Sequence, residues 1–508
     1  MDKNGVSPAI VVVVVIFVVV AGVGAYFVIR GRGETTWVEG LPVYPGAQQA
    51  EAEVENALTT AIGGSLPTER SIHVYKTSDD LETVAAWYGP QMSEAGWQQV
   101  GDTSIDFAQQ ISGRLLAFEK GTNRVVVGAI TNPQYGNIIA TAAWQNVELE
   151  LPSGPELKPV VVNGTHFEVE NRPFHFFGAF TFTELSDMVY FSSPYSLPWI
   201  YEPWQENYYE KAVNRYLASL VAENIHLIRF FSFGRYYARI SDRDSPDWEK
   251  LDYLVKRCEY AGIRIIWVLW DRWDYGAEGA TMEDYDYTAD NRVLPAIVGA
   301  LERWKDSPAI FAWEIMNEGD CLDWTPEKME NFKKWFADVS THMKTIDNVH
   351  PIGTGFAGER VADLHFGGSA EDEQTFIDFY TSVHNIWAID YISFHTYGGN
   401  PDLLLSPENF DNMWFERVGW FLDWIDNYRT TVNKPVILEE FGAARQIGES
   451  LRTQVYQYVI DRCAQKKMDA TFNGWGADKT PRGVLIFSDD AALVALIRST
   501  VATFENMT

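Results

Sequence analysis

The chain has few cysteines and few basic residues. Only three cysteines, Cys258, Cys321 and Cys463, occur in 508 residues. This is too few for a dense disulfide framework, and the odd count favours buried or free thiols. No spacing of Cys and His typical of a metal site is present.

Lys and Arg number 40 against 70 Asp and Glu, which gives a formal net charge of −30. Such a surface repels nucleic acid, anionic lipid headgroups and acidic polymers, so an uncharged partner is favoured.

One long stretch near the N-terminus has no charge at all. Residues Ala9 to Ile29 are almost wholly apolar, and about 20 such residues are enough to cross a bilayer as a helix. A cleaved secretory signal has a shorter apolar segment and a cleavage site of small residues, and Ala21 to Ala25 matches such a site poorly. We therefore predict a transmembrane anchor with short flanks in residues 1–33, with secretion after cleavage as the alternative.

Residues 41–150 are predicted to form a small α+β domain without a catalytic constellation, so its role stays unassigned. Gln48 to Ile62 is predicted to be a helix that ends at a pair of glycines, and Asp79 to Ala95 a second, amphipathic helix. Strand patterns flank Lys120 to Asn123, which is typical of a hairpin turn. A linker rich in proline and glycine follows at residues 151–159.

Strand-like and helix-like segments alternate from residue 160 to residue 508. Eight predicted strands, each followed by a predicted helix, indicate an α/β fold, a (β/α)8 TIM barrel with enlarged loops. A doubly wound open sheet would need a glycine-rich phosphate-binding turn after its first strand, and none is present. The predicted strands are Phe174–Phe180, Ile225–Phe231, Ile263–Trp270, Ala309–Met316, His350–Thr354, Tyr391–His395, Pro435–Glu439 and Ala470–Gly474. The predicted helices lie near Gln205–Glu223, Trp248–Ala261, Asn291–Lys305, Pro326–Ile346, Glu373–Asn385, Asn409–Tyr428, Ser450–Lys467 and Ala491–Phe504.

Two of these strands lead to glutamates. Trp313 to Glu318 and Lys434 to Gly442 are largely apolar runs that contain carboxylates near their C-terminal ends. Barrel enzymes carry their catalytic side chains at this end of the strands, and two carboxylates that flank a sugar ring can cleave a glycosidic bond. We therefore predict a glycoside hydrolase in which Glu318 protonates the leaving oxygen. Successive strand residues face opposite sides, so we expect only one of Glu439 and Glu440 to face the barrel centre, and the apolar pattern does not decide which.

The two glutamate strands resemble the acid/base and nucleophile strands of glycoside hydrolase family 5, within clan A of the retaining (β/α)8 glycosidases. In that family the nucleophile is the glutamate directly before the aromatic-Gly pair, which is Glu440 in this chain. The resemblance covers roughly Val160 to Glu505 and implies a reaction that needs neither a metal nor an organic cofactor. Trp270 to Gly276 and Ile437 to Gly442 are similar to segments of β-mannanases, whereas Gly178 to Thr181 lacks an Asn-Tyr pair frequent in the family.

The resemblance also implies substrate contacts. Arg229 would keep the nucleophile ionised through a charge-assisted hydrogen bond. His395 would contact the acid/base region or the sugar, and Tyr397 would donate a hydrogen bond to the nucleophile. Asn317 would bind the sugar 2-hydroxyl, and Trp475 would stack on the sugar where the bond breaks. The full set of predicted substrate-binding residues is Arg229, Asn317, His395, Tyr397, Trp475, Trp270 and Trp273.

The predicted activity is retaining hydrolysis of a β-linked neutral polysaccharide, with endo action on β-mannan or β-glucan. Such a polymer lies outside the cell, so we expect a single-pass membrane protein whose catalytic domain is extracellular. Two alternatives use the same residues or the same fold: a transglycosylase that remodels surface glycans, and a non-catalytic glycan-binding protein. The sequence does not indicate an oligomeric state.

Overall fold

The computed structural model describes residues 41–50, 70–107, 111–121, 123–132, 136–145, 150–181, 208–231, 247–271, 293–321, 324–397, 412–443, 447–473 and 491–507. The predicted membrane segment Ala9–Ile29 lies outside these ranges. Within them, no helix combines the length and the apolar character needed to cross a bilayer.

The N-terminal unit is an antiparallel sheet covered by a helix. In the described residues its six strands pair in the order β1-β2-β6-β5-β4-β3. Helix α1 (Leu81–Glu94) begins at Asp80, whose side chain accepts a hydrogen bond from the Thr83 backbone. Val84, Tyr88 and Met92 of this helix are buried against the sheet. The strands are β1 Gln48–Gln49, β2 Arg70–Thr77, β3 Gln98–Phe107, β4 Ile111–Lys120, β5 Asn123–Asn132 and β6 Gly136–Gln145.

Two sequence-based predictions for this unit have different outcomes. The hairpin turn is confirmed, because β4 and β5 pair up to Lys120 and Asn123. The helix predicted to start at Gln48 is wrong at its first three residues, since Gln48 and Gln49 pair with β2 and the Ala50 backbone N–H donates to the Val74 carbonyl. The remainder of that predicted helix, residues 51–62, lies outside the described residues.

A second small sheet closes the N-terminal end of the barrel. Its antiparallel strands β7 (Val160–Asn163), β8 (His166–Val169) and β9 (Arg172–Phe174) were not expected from the sequence. The ring of Phe167 lies with its centroid 4.9 Å from that of Phe311 and 5.9 Å from that of Tyr391. Because both partners lie at the N-terminal ends of barrel strands, this sheet seals the end of the barrel opposite to the predicted site.

The barrel is built from parallel strands. In the described part of the chain, eight strands pair in the order β14-β13-β12-β11-β10-β17-β16-β15. A bridge between Gly353 and Tyr391 links the two ends of this sheet, so the barrel is nearly closed. The predicted (β/α)8 barrel is thereby confirmed. The strands are β10 Phe177–Thr181, β11 Leu227–Phe231, β12 Arg264–Val268, β13 Ile310–Glu314, β14 Ile352–Gly353, β15 Ile392–Thr396, β16 Val436–Phe441 and β17 Asp469–Asn473.

Helices surround the barrel and bury its outer face. Trp267 of β12 stacks on Trp304 of α4 with a centroid distance of 4.4 Å, which shows how the outward side chains of a strand pack beneath a helix. The strands therefore have apolar residues on both faces. The helices in the described residues are α2 Tyr208–Ala222, α3 Trp248–Ala261, α4 Val293–Trp304, α5 Pro326–Ile346, α6 Glu359–Gly367, α7 Ala370–His384, α8 Asn412–Val432, α9 Glu449–Lys466 and α10 Ala491–Glu505.

The pairing of β15 with β16 contains a register shift. Phe394 pairs with Leu438, but the next residue, His395, pairs with Glu440. Glu439 is therefore an extra residue in β16, as in a β-bulge, and a bulge changes the direction of the side chains beside it. The hydroxyl of Thr471 on β17 donates a hydrogen bond to the backbone carbonyl of Glu439 and holds the bulge from the other side.

Candidate active site

Polar side chains from six barrel strands meet at the C-terminal end of the barrel. Each follows or ends a strand that is otherwise buried and apolar, so parallel strand direction alone brings them to the same end. The residues are Arg229 of β11, Asp271 after β12, Asn317 and Glu318 after β13, His395 of β15 with Tyr397 after it, Glu440 of β16 and Asn473 of β17.

Glu440 accepts hydrogen bonds at both carboxylate oxygens. Arg229 Nη1 donates to Oε1 at 2.5 Å, and the Tyr397 hydroxyl donates to Oε2 at 2.6 Å. Asn473 Nδ2 in turn donates to the Tyr397 hydroxyl. Burial alone would lower the pKa of Arg229, but the carboxylates around it raise that pKa well above its usual value. The guanidinium therefore stays charged beside Glu440, and charge-assisted donors of this kind hold a carboxylate in a fixed orientation.

Glu318 is held by an unusual backbone conformation. Its φ is 51°, in the left-handed region that a residue with a Cβ rarely adopts. Its backbone N–H donates to the carbonyl of Gly355 at 2.6 Å. Gly355 itself has a φ of 78°, and a Cβ there would overlap the Met316 carbonyl and the carboxylate of Glu314. Strained backbone of this kind persists where surrounding structure holds it, often at functional sites, and here it aims the Glu318 side chain.

His395 lies between the two glutamates. Its Nδ1 is 3.0 Å from Glu318 Oε1 and 3.8 Å from Glu440 Oε1. Burial lowers the pKa of His395, but Glu440 and the hydrogen bond to Glu318 raise it more, so the pKa lies above its usual value. One oxygen of each glutamate and one ring nitrogen lie within 4.8 Å of one another. The structure thus brings the two glutamates predicted to be catalytic to one place.

Asn317 is fixed at both ends of its amide. Its Oδ1 accepts from Arg229 Nη2 at 2.9 Å, and its Nδ2 donates to Asp271 Oδ1 at 3.0 Å. The Asp271 and Asn317 backbones also form a parallel bridge. The assignment of Oδ1 and Nδ2 is therefore set by one donor and one acceptor, and the amide has a defined direction at the site.

Three buried polar residues here were not predicted as site residues. Asp271 orients Asn317, and Asn473 orients Tyr397. Asp320 accepts from the backbone N–H groups of residues 357 and 358 and from the Tyr380 hydroxyl, each at 2.8 Å, and burial raises its pKa above the usual value. It joins the loop after Glu318 to the loop after β14. In the sequence, the signal that could have identified such residues is a polar residue at or just after the C-terminal end of an apolar strand.

The structure does not place every predicted site residue with the carboxylates. Trp270 is 3% exposed, and its ring meets Trp335 of α5 edge-on with a centroid distance of 5.5 Å. Its ring therefore fills the apolar layer between barrel and helices, because the side chain leaves the strand end on its outward side. Trp273 and Trp475 lie outside the described residues.

The expectation that only one glutamate of the Glu439-Glu440 pair faces the barrel centre is wrong. Arg229 Nη1 contacts Glu440, and Arg229 Nε lies 3.5 Å from Glu439 Oε2. Strict alternation would send these side chains to opposite faces. The bulge at Glu439 breaks that alternation, and both carboxyl groups reach the same guanidinium.

Removing one hydroxyl tests how much the orientation of Glu440 matters. Tyr397→Phe is expected to lower kcat about 10- to 100-fold, because a hydrogen bond to a charged group contributes about 1.5–3 kcal/mol. Steady-state kinetics and a thermal melt would measure the effect. Tyr458→Phe is the matched control, since the Tyr458 hydroxyl donates to the Phe415 carbonyl between α8 and α9, away from the site. Equal kcat values for the two variants would contradict the role given to Tyr397.

Comparison with known proteins supports an assignment for this barrel. Residues 296–476 match a family model described as GH family 5 beta-mannosidase-like, and residues 54–136 match a model described as START domain-like. Mannan endo-1,4-beta-mannosidase A of Podospora anserina is 30% identical over 235 residues, or 43% of this chain and 53% of that protein. Mannan endo-1,4-beta-mannosidase F of Aspergillus clavatus is 30% identical over 222 residues, or 41% of this chain and 47% of that protein. The chain thus spans about half the length of these curated relatives.

Solved structures share the fold. The endo-1,4-beta-mannanase from Rhizomucor miehei has a TM-score of 0.51 and 19% identity, over 68% of this chain and 99% of that one. The glycoside hydrolase family 5 mannosidase from Rhizomucor miehei has a TM-score of 0.51 and 16% identity, over 69% of this chain and 98% of that one. The segment matched by the family model carries Glu318, His395 and Glu440. The barrel of this chain therefore contains a segment similar to glycoside hydrolase family 5, and it resembles the β-mannanases.

Proposed function

We propose that the chain is a retaining glycoside hydrolase that cleaves a β-linked neutral polysaccharide at internal bonds, with β-mannan as the preferred substrate. The observation that carries the proposal is that Glu318 and Glu440 lie together at the C-terminal end of the barrel, with an oxygen of each within 4.8 Å of the other. Retaining pairs are about 5–5.5 Å apart, whereas inverting pairs are about 6.5–9.5 Å apart to leave room for a water. The spacing in this chain favours retention.

The reaction proceeds in two displacements. In the first, a Glu440 oxygen attacks the anomeric carbon, the bond to the leaving sugar breaks, and Glu318 gives its proton to the departing oxygen. In the second, Glu318 removes a proton from water, and the resulting hydroxide displaces Glu440 from the anomeric carbon. The enzyme returns to its starting protonation state, and two inversions give net retention.

The surrounding residues support these two roles. Arg229 and Tyr397 hold both oxygens of Glu440, so the nucleophile is presented in one orientation. Asn317 has its amide fixed by Arg229 and Asp271, which suits a contact to the sugar 2-hydroxyl that strengthens as positive charge develops on the ring. The His395 ring beside Glu318 connects the proton donor with the nucleophile.

The choice of substrate rests on the relatives and on charge. The curated relatives described above are named as mannan endo-1,4-beta-mannosidases. The net charge of −30 disfavours an acidic polysaccharide through repulsion. A neutral polymer of mannose joined by β-1,4 bonds fits both observations, and β-glucan is the alternative substrate.

Product sizing on a substrate panel tests the proposal. Purified protein would be incubated with mannan, glucomannan, cellulose and xylan, and with Glu440→Gln protein as the inactive control. We expect oligosaccharides from mannan and glucomannan, with a rapid fall in polymer length that is typical of internal cleavage. Release of single sugars from chain ends would contradict endo action, and products longer than an oligosaccharide substrate would indicate a transglycosylase. Binding without cleavage would identify a non-catalytic glycan-binding protein.

We further propose that the N-terminal segment anchors this enzyme in the cell membrane, with the catalytic domain on the outer side. The support is the length and apolar character of Ala9–Ile29 and the extracellular location of polysaccharide substrates. Alkaline carbonate extraction of membranes would compare the full chain with a variant that lacks residues 1–33. Release of the full chain into the soluble fraction would contradict the anchor.

A further inference from the structure

A second layer of carboxyl groups lies beneath the catalytic glutamates. Arg229 donates from Nε and Nη2 to the two oxygens of Glu314, both at 2.6 Å. The same Nε lies 3.5 Å from Glu439 Oε2, and Nη1 contacts Glu440. The side chains of Arg229, Glu314 and Glu439 are 0% exposed. Three carboxyl groups therefore surround one guanidinium in the interior of the barrel.

The charge of this cluster does not balance if all three carboxyl groups are ionised. One Arg⁺ against three carboxylates would leave two negative charges uncompensated in a site that is almost wholly buried. Burying unpaired charge is so costly that a group takes up a proton instead. Glu440 must be ionised to act as the nucleophile, and Glu314 has a bidentate salt bridge to Arg229. The proton therefore belongs on the third group.

Glu439 is the carboxyl group with the weakest support for a negative charge. Within the described residues, neither of its oxygens has a hydrogen-bond partner, and its contact to Arg229 is about an ångström longer than those of Glu314. Burial raises the pKa of Glu439 well above its usual value, and the nearby negative charge of Glu314 raises it further, against a smaller opposing effect of Arg229. Its neutral form fits this environment.

The position of Glu439 is fixed by the fold. The extra residue in β16 turns its side chain into the barrel, and the Thr471 hydroxyl holds its backbone carbonyl. Tyr391, at the start of β15, is fully buried, and Glu439 is one of the groups that raise the pKa of its phenol after burial itself. The charged and titratable groups that face Glu439 are thus Arg229 of β11, Glu314 of β13, Tyr391 beside β15 and Glu440 of β16, with His395 above Glu440.

From this geometry we propose that Glu439 is a positioning residue that stays protonated during catalysis beside an ionised Glu314. The pair then carries a single negative charge. Arg229 then faces two negative charges, one on this pair and one on Glu440, instead of three, so less negative charge surrounds the ionised nucleophile. This inference rests on the proposed function, because it assigns the proton in terms of an ionised Glu440.

Replacing Glu439 or its neighbour Glu440 by glutamine, which has the same shape but no charge, is expected to have opposite effects on activity. Glu439→Gln keeps a neutral group of the same shape, and we expect kcat/KM within about threefold of the wild type, or about 0.7 kcal/mol, with an unchanged acid limb of the pH profile. Glu440→Gln removes the nucleophile and is expected to abolish turnover. A loss above about 100-fold in folded Glu439→Gln protein, or a shifted acid limb, would overturn the proposal.

Infrared difference spectroscopy tests the proton directly and without any substrate. The wild type minus Glu439→Gln spectrum at neutral pH should contain the C=O stretch of a buried carboxylic acid, with a shift in D2O. If Glu439→Gln does not fold, Glu314→Gln serves instead, because the removal of Glu314 should let Glu439 ionise and the same band should disappear. Loss of carboxylate bands in the first comparison, or persistence of the acid band in Glu314→Gln, would contradict a proton kept on Glu439 by the neighbouring charge of Glu314. A chain without hydrolytic activity would still give this result, so failure of the function and failure of the inference are distinguishable.

Discussion

Glu440→Ala is expected to lower kcat on β-mannan by about 10⁵-fold or more, equivalent to about 7 kcal/mol of activation free energy. The substitution removes the group that bonds to the anomeric carbon, and no other carboxylate in the described site has the same contacts to Arg229 and Tyr397. Steady-state kinetics with a calorimetric melt would show whether the protein is folded and inactive. Glu330→Ala on α5 is the control, because that side chain is 75% exposed and its loss should leave kcat unchanged.

Added azide extends this test to the geometry of attack. In Glu440→Ala protein, azide can enter the space left by the carboxylate and attack a substrate with a good leaving group from the same side. The product should be a glycosyl azide of inverted configuration, since only one displacement takes place. Residual activity within tenfold of the wild type, or an azide product of retained configuration, would remove Glu440 from the role of nucleophile.

Glu318→Ala is expected to lower the rate on β-mannan by about 10²–10⁴-fold, the contribution that general acid–base catalysis usually makes. The loss should depend on the leaving group. A sugar hydroxyl needs the proton that Glu318 supplies, whereas a dinitrophenolate departs without one. On a dinitrophenyl glycoside the first step should stay fast, and the glycosyl-enzyme should accumulate because no base activates water.

Rapid-mixing measurements distinguish these two steps. A burst of dinitrophenolate followed by slow turnover is the expected time course for Glu318→Ala protein. Azide should accelerate the slow phase and give a product of retained configuration, because it intercepts the glycosyl-enzyme. Equal losses on mannan and on the dinitrophenyl glycoside, without a burst, would show that Glu318 is not the proton donor. Glu330→Ala again provides the surface control.

The barrel elements were predictable where local signals agree with packing. Helices α3 and α5 have the predicted bounds, Trp248–Ala261 and Pro326–Ile346. Each has a capping side chain at its N-terminus, and α3 also ends at a glycine with a left-handed backbone. Helix α6 was missed, since it is only 9 residues long and its N-cap residue, Gly358, offers no capping side chain.

The small sheet beneath the barrel escaped prediction for a different reason. Strands β7, β8 and β9 are three or four residues long and alternate only partly between buried and exposed positions. Such short patterns carry little periodic signal. Their stability comes from tertiary contacts such as Phe167 against Phe311, which join residues far apart in the chain.

At the site, the sequence pattern predicted residue types better than side-chain directions. Glu318, His395, Tyr397 and Glu440 lie at or beyond strand ends, where parallel geometry brings them together. The inward direction of Glu439 depends on a bulge, and the outward direction of Trp270 on packing against α5. Neither can be read from a strand that is apolar on both faces.

The measurement that tests the central account most directly is the configuration of the first product. Mannohexaose would be hydrolysed by a large amount of enzyme in an NMR tube, and the anomeric proton signals would be followed before the sugars mutarotate. Two displacements by Glu440 and then by water predict that the β-anomer forms first and the α-anomer appears only later. Initial formation of the α-anomer would show a single displacement and would contradict the assignment of Glu440 as a covalent nucleophile with Glu318 as its acid and base.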